Sequence, residues 1–223
     1  MARSQRERKI TVILAADVVG FSRMMGEDEQ RTLRNLQECR ATTDKLIAKQ
    51  KGRVFGSAGD SVIAELPSAV AAVRCASQIQ RALAARNAKK PAEDQMRFRI
   101  GINLGDVLVE GENLFGDGVN IAARLEPLAE PGGICISGAV YDLVGSKLTL
   151  DYQHLGSKKL KNISDPVPVY KIVTEIENAR QDTPEDTDAP AEPEPDFYRW
   201  TSYASLAAIL AVVAFAVWRY VGK

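Results

Sequence analysis

Cysteine and histidine are nearly absent: Cys39, Cys75, Cys135 and a single histidine, His154, occur in 223 residues. So few thiols at such wide spacing exclude a disulfide scaffold, and one histidine gives them little help in holding a metal, so reduced thiols in a cytosolic domain are expected. Cys75 and Cys135 sit among apolar neighbours, where inert core packing is the expected role. Net charge is missing as well, with 29 basic and 29 acidic side chains, and no nucleic-acid partner is expected. The first residues, "MARSQRERK", lack the apolar core of a signal peptide, so nothing there directs export.

What is present is a 45% hydrophobic composition, enough for one ordinary core with appendages. The zero balance hides an asymmetry. Residues 1–174 hold 25 Lys and Arg against 20 Asp and Glu, whereas residues 175–198 hold nine acids and only Arg180. That second stretch alternates acids with Pro184, Pro190, Pro193 and Pro195, buries too little to fold, and reads as a disordered linker. Trp200 to Trp218 then runs 19 residues without a charge, about 28 Å as a helix against a hydrocarbon core of about 30 Å. Arg199 and Arg219 bracket it, with Trp200, Tyr203, Trp218 and Tyr220 at its ends, so residues 199–223 are expected to form a transmembrane helix anchored in lipid.

Within residues 1–174 an apolar run from Ile10 predicts a first strand. Helical spacing of Leu33, Leu36, Leu46 and Ile47 predicts a surface helix over Asp28 to Ala48. Arg53 to Phe55 and Ser61 to Leu66 predict a hairpin across Gly56, Ser57, Ala58 and Gly59. Pro67 and Ser68 open a helix to Arg86 with Val70, Val73, Ile79 and Leu83 inward. A polar connector, a strand pair, a helix from Gly118, the strand "GGICIS", a short helix and strands near Leu148–Leu155 and Val167–Val173 follow. The order βααββαβ with additions predicts an α+β, ferredoxin-like core: a mostly antiparallel sheet with helices on one face.

The stretch "ILAADVVGFSRMM", from Ile13, contradicts itself, because a buried strand delivers a carboxylate, Asp17, beside Val18 and Val19. An unpaired buried carboxylate costs several kcal/mol, so it needs exposure, a partner or a metal. A second aspartate, Asp60 in "SAGDSV", also stands beside a glycine at a strand end, and carboxylates at neighbouring strand ends can share a hard cation. The amides of Val18, Val19, Gly20, Phe21 and Ser22, in a glycine-containing turn entering a helix, suit phosphate oxygens. In "GDGVNIAARL", Asn120 and Arg124 share one helical face while Ile121, Leu125 and Leu128 face the core. Such a pair is ordinarily solvated surface, but a glycine-flanked helix entry admits a close ligand, and an amide with a guanidinium suits a phosphoryl group and a sugar oxygen.

Together "ILAADVVGFS", "GRVFGSAGDSVIAEL", "RFRIGINLGDVLVEG" and "GDGVNIAARLEPLAEPGGICIS" resemble the catalytic domain of class III adenylate/guanylate cyclases over about residues 8–173. The resemblance implies conversion of ATP to 3′,5′-cyclic AMP and pyrophosphate by two-metal phosphoryl transfer. It assigns two Mg2+ or Mn2+ ions per site to Asp17, Asp60 and the Val18 carbonyl, ribose orientation and transition-state stabilisation to Asn120 and Arg124, and a homodimer whose active sites take residues from both chains. ATP being cytosolic, the domain is expected on the cytoplasmic side of the inner (plasma) membrane.

The match departs at the base-reading positions, where the usual lysine is Gly56 and the usual aspartate or threonine is Asn113; "EGENLFGDG" is also short. Lys161 in "LKNISDPVPVY" stands nearest the family's phosphate-binding lysine, with a solvated surface lysine as the alternative. A guanylate cyclase, or a degenerate nucleotide-binding and dimerisation module with little turnover, are the competing readings. A membrane-tethered scaffold would leave Asp17, Asp60, Asn120 and Arg124 unexplained.

Overall fold

The structure is a computed structural model and describes residues 7–173. The expected linker at 175–198 and membrane helix at 199–223 lie outside the described residues. Among the described residues, no helix is long and apolar enough to cross a membrane.

An interior strand of the sheet, β1 (Glu7–Val18), is paired antiparallel on one side with β3 (Ser61–Leu66) and on the other with β4 (Phe98–Glu110). Successive side chains of a strand point to opposite faces. Val12, Leu14, Ala16 and Val18 therefore join the core under the long helices, while Ile13 and Ala15 join a second core on the other face. Burial on both faces explains why the strand reads as an unbroken apolar run.

Two helices follow β1, α1 (Phe21–Glu27) and α2 (Glu29–Lys49). They separate at Asp28, which is extended and whose carboxylate accepts from the Arg31 amide, the usual geometry of a helix start. Leu36, Cys39, Thr43 and Ile47 form the buried stripe of α2. Leu33, expected with them, is 39% exposed because it lies off that stripe.

The hairpin of β2 (Arg53–Ala58) and β3 turns at Gly59–Asp60, later than expected. A bulge between Val54 and Gly56 absorbs Phe55 and lets Gly56, Ser57 and Ala58 keep pairing. Helix α3 (Ala69–Asn87) starts at Ser68, whose hydroxyl accepts from the Ala71 amide, and it buries Val73, Ile79 and Leu83 as expected.

After β4 come β5 (Asn113–Phe115), α4 (Asp117–Leu125), β6 (Ile134–Ser137), α5 (Gly138–Val144), β7 (Asp151–Lys158) and β8 (Val167–Val173). The strand order is β2-β3-β1-β4-β6-β8-β7, with β5 folded back on β4. The first four of these are the βααββαβ, ferredoxin-like arrangement. The sheet is antiparallel throughout except where β6 lies parallel to β4.

One expectation is corrected: the helices do not all lie on one face. Helices α2 and α3 pack on the even-numbered side chains of β1, but Ala122 of α4 packs with Ile13 and Ala15 on the opposite face. Glycines let α4 lie directly on β4. A Cβ on Gly101 would stand 2.3 Å from the Ala122 carbonyl oxygen and 2.4 Å from the Glu126 nitrogen, and one on Gly118 would stand 2.8 Å from the Asp106 carbonyl oxygen. At such contact distances only glycine fits.

Candidate functional site

Asp17 is the penultimate residue of β1, on the face that carries α4, and its side chain is 31% exposed. The Gly59–Asp60 turn, with Gly59 at φ +60°, brings the second aspartate alongside. Asp60 Oδ2 accepts from the Val18 amide at 3.2 Å. Burial first, then hydrogen bonding and charge from Asp60, then charge from Glu126, raise the Asp17 pKa from 3.8 to about 7. Two carboxylates forced together in a partly buried site hold a proton or a cation between them. Their donor atoms are all oxygen, which suits a hard cation such as magnesium. Among the described residues no group of three or more His, Cys, Asp or Glu gathers to hold a metal ion.

The turn expected to receive phosphate has fewer uncommitted amides than expected. The Val18 amide is committed to Asp60 and the Val19 amide donates to the Arg97 carbonyl at 2.9 Å. Gly20, at φ 71°, precedes α1 and leaves the amides of Gly20, Phe21 and Ser22 without an acceptor among the described residues.

Asn120 and Arg124 are both exposed on α4. Neither side chain makes a hydrogen bond or ion pair with another described residue, and no contact of this kind joins them to Asp17 or Asp60. Gly56 lies on β2 opposite Ile63, Asn113 is exposed at the start of β5, and Lys161 is exposed between β7 and β8. Two clefts of about 400 and 300 Å3 flank the first half of α4, sharing Asn103, Leu104, Asp117 and Ile121. Neither is lined by Asp17 or Asp60.

Arg99 and Glu126 escaped sequence reasoning. Arg99 is the direct cross-strand neighbour of Asp17, with Nη2 3.9 Å from Asp17 Oδ2 and Nε 2.8 Å from Glu126 Oε1. Burial raises the Glu126 pKa, and Arg99 opposes that rise. The only signal in the sequence was a charge inside the otherwise apolar "FRIGI" strand. The thiols behave as expected: all three cysteines are buried and none forms a disulfide among the described residues, and burial pushes Cys75 up to about 12.

Residues 2–174 match the family model described as the adenylate and guanylate cyclase catalytic domain. "Putative adenylate cyclase 3" of Rhizobium meliloti (strain 1021) is 43% identical over 171 residues, 76% of this chain and 29% of that protein. An adenylate cyclase of Streptomyces coelicolor is 30% identical over 125 residues, 56% of this chain and 31% of that protein. The chain thus spans less than a third of these curated relatives. Among solved structures, an adenylate/guanylate cyclase/hydrolase from Silicibacter pomeroyi superposes with a TM-score of 0.72 at 38% identity, covering 77% of this chain and 100% of that one. The adenylyl cyclase CyaB from P. aeruginosa gives 0.67 at 25% identity, covering 76% and 96%.

Proposed function

Because the chain belongs to the adenylate and guanylate cyclase catalytic domain family, we propose that it converts ATP to 3′,5′-cyclic AMP and pyrophosphate at sites shared between the two chains of a homodimer. The observation that carries this is the pairing of Asp17 with Asp60, two carboxylates forced together at the end of β1 where a divalent cation relieves their repulsion.

Asp17, Asp60 and the Val18 carbonyl would hold two magnesium or manganese ions, which when bound supply positive charge for the departing pyrophosphate and acidify the ribose hydroxyl. Arg124 offsets charge at the α-phosphate, Asn120 orients the ribose, and Lys161 with the amides of Gly20, Phe21 and Ser22 receives the remaining phosphate oxygens. In the reaction the ribose 3′ oxygen bonds to the α-phosphorus, the bond from that phosphorus to the oxygen bridging to the β-phosphate breaks, and the hydroxyl proton passes to water. Exposure of Asn120 and Arg124 without a side-chain partner favours their serving a nucleotide held by the aspartates of a second copy, and a closed two-fold pair is the commonest assembly. Incubation of the purified chain with ATP or GTP and manganese, followed by measurement of cyclic product, tests the reading. Cyclic AMP is expected; absence of either cyclic nucleotide leaves the degenerate-module reading in its place.

Base selectivity is expected to be modest. Sites that hydrogen-bond a substrate edge discriminate strongly because the wrong edge leaves buried polar groups unpaired. Gly56 has no side chain to do this, and the Asn113 amide can flip to serve adenine or guanine. ATP is expected to exceed GTP in kcat/KM by only about ten- to a hundredfold. A Cβ on Gly56 would meet Ile63 at 3.4 Å, an ordinary contact, so the double substitution Gly56→Lys and Asn113→Asp is the informative variant. It is expected to raise the ATP/GTP ratio; an unchanged ratio removes these positions from base recognition.

We also propose that residues 175–198 are a disordered linker and residues 199–223 a single-pass anchor in the inner (plasma) membrane, on the strength of the 19-residue uncharged span. The domain then faces the cytoplasm, with Lys223 on or beyond the far side. The 223-residue chain is expected to sediment with membranes and resist carbonate extraction, whereas a chain stopped at Asp196 remains in the supernatant. Recovery of the 223-residue chain wholly in the soluble fraction removes the anchor.

A further inference from the structure

Arg99 lies between two carboxylates with different duties. On one side, 3.9 Å away, is Asp17 of the aspartate pair; on the other, 2.8 Å away, is Glu126. Glu126 is 8% exposed and directly follows Leu125, the last residue of α4. The connection is short because Gly101 carries no side chain to separate α4 from β4, the Glu126 nitrogen standing only 2.4 Å from where a Cβ would be. The Nε contact with Glu126 is close, yet its N–H is not aligned as a hydrogen bond. At 2.8 Å the ion pair is already in contact, so it tightens by realignment of the guanidinium rather than by approach.

One guanidinium is therefore shared by a carboxylate suited to a cation and a carboxylate at the end of the helix that bears Asn120 and Arg124. A cation arriving at Asp17 and Asp60 competes with Arg99 for Asp17 and repels it, and the only other acid that pairs with Arg99 among the described residues is Glu126. We propose that Arg99 is a positioning residue that couples the two half-sites carried by one chain, moving from Asp17 toward Glu126 when a divalent cation binds and tightening the end of α4. The coupling rests on the cyclase reading given above. In a homodimer with shared sites, the Asp17 half and the Asn120/Arg124 half of one chain serve different active sites, so filling one site is felt at the other.

The test follows manganese binding and α4 separately, on nucleotide-free protein. Manganese is titrated onto the full chain, binding is read from the loss of the free-ion electron paramagnetic resonance signal, and the end of α4 is read by hydrogen exchange of the Ile121–Glu126 amides. In the wild type, manganese is expected to slow that exchange by about tenfold. Arg99→Gln alone would strand Glu126 as a buried unpaired charge, so the informative variant is Arg99→Gln with Glu126→Gln, which removes both charges together. It is expected to bind manganese about as tightly as the wild type, because a repelling guanidinium and an attracting carboxylate are lost together, and to show no slowing at α4. A simple loss of structure would weaken binding instead. Arg99→Lys, which keeps the charge, is expected to restore part of the slowing. Manganese binding to the wild type with unchanged α4 exchange, or full slowing in the double variant, overturns the coupling and leaves the cyclase reading standing. Absence of manganese binding to the nucleotide-free chain overturns the coupling, and the cyclase reading then stands or falls on the cyclic product.

Discussion

Asp17→Asn is expected to lower kcat by at least about a thousandfold, the scale of losing a main electrostatic contributor to a phosphoryl transfer, while making the metal-free domain more stable at neutral pH. Both effects come from one cause. The asparagine keeps the volume of the side chain but removes the charge that repels Asp60, so activity and stability separate. The pH dependence carries the sign. Asp17 in the folded chain has a pKa near 7 against an ordinary 3.8, so the folded state binds this proton more tightly than the unfolded chain does. Stability from this group is fully present below about pH 4 and is lost as pH rises through 7, by about 1–2 kcal/mol once solvent screening of a side chain 31% exposed is allowed for. Melting temperatures of metal-free protein at pH 5 and pH 8 check this. The wild type is expected to be less stable at the higher pH, and the Asp17→Asn variant is expected to lack Asp17's contribution to that difference. Wild-type turnover by the variant would remove Asp17 from the metal site.

Arg124→Ala is the second large effect. The side chain is exposed and makes no hydrogen bond or ion pair with other described residues, so its loss is expected to leave the fold intact. In the proposed role the charge it would offset grows as the α-phosphorus changes partners, so kcat is expected to fall by about a thousandfold with a smaller change in KM. A variant that raised KM alone would recast Arg124 as an ordinary substrate contact.

Much of the fold was legible because the periodicities were clean. The two-sided apolar run of β1, the spacing of Val73, Ile79 and Leu83 on α3, and the turn residues around Gly59 each imposed one local structure. What escaped detection depended on distant packing. The bulge at Phe55 is set by pairing with β3, not by any residue within β2. The placement of α4 on the face opposite α2 and α3 follows from which alternate side chains of β1 are covered, and both sets are apolar. At the site, Asp17 and Asp60 stood out as charges at glycine-flanked strand ends. Arg99 and Glu126 stood out less, because their meaning lies in a cross-strand register and a helix–strand contact made by Gly101. The amides of Val18 and Val19, expected to suit phosphate, are committed by ladder and turn geometry to Asp60 and Arg97.

The shared site is tested most directly by mixing two inactive chains. Asp17→Ala retains Asn120 and Arg124, and Arg124→Ala retains Asp17 and Asp60, so a mixed dimer with sites built across chains holds one complete site and one doubly damaged site. Purified variants are combined with ATP and manganese under conditions where subunit exchange is demonstrated independently, and cyclic AMP is measured over time. With random pairing, half of the dimers are mixed, and each carries one of the two sites present in a wild-type dimer. The expected result is recovery of activity to roughly a quarter of the wild-type rate at equal total protein, from components that are each near zero. Proven exchange with no recovered cyclic AMP would contradict the shared-site account.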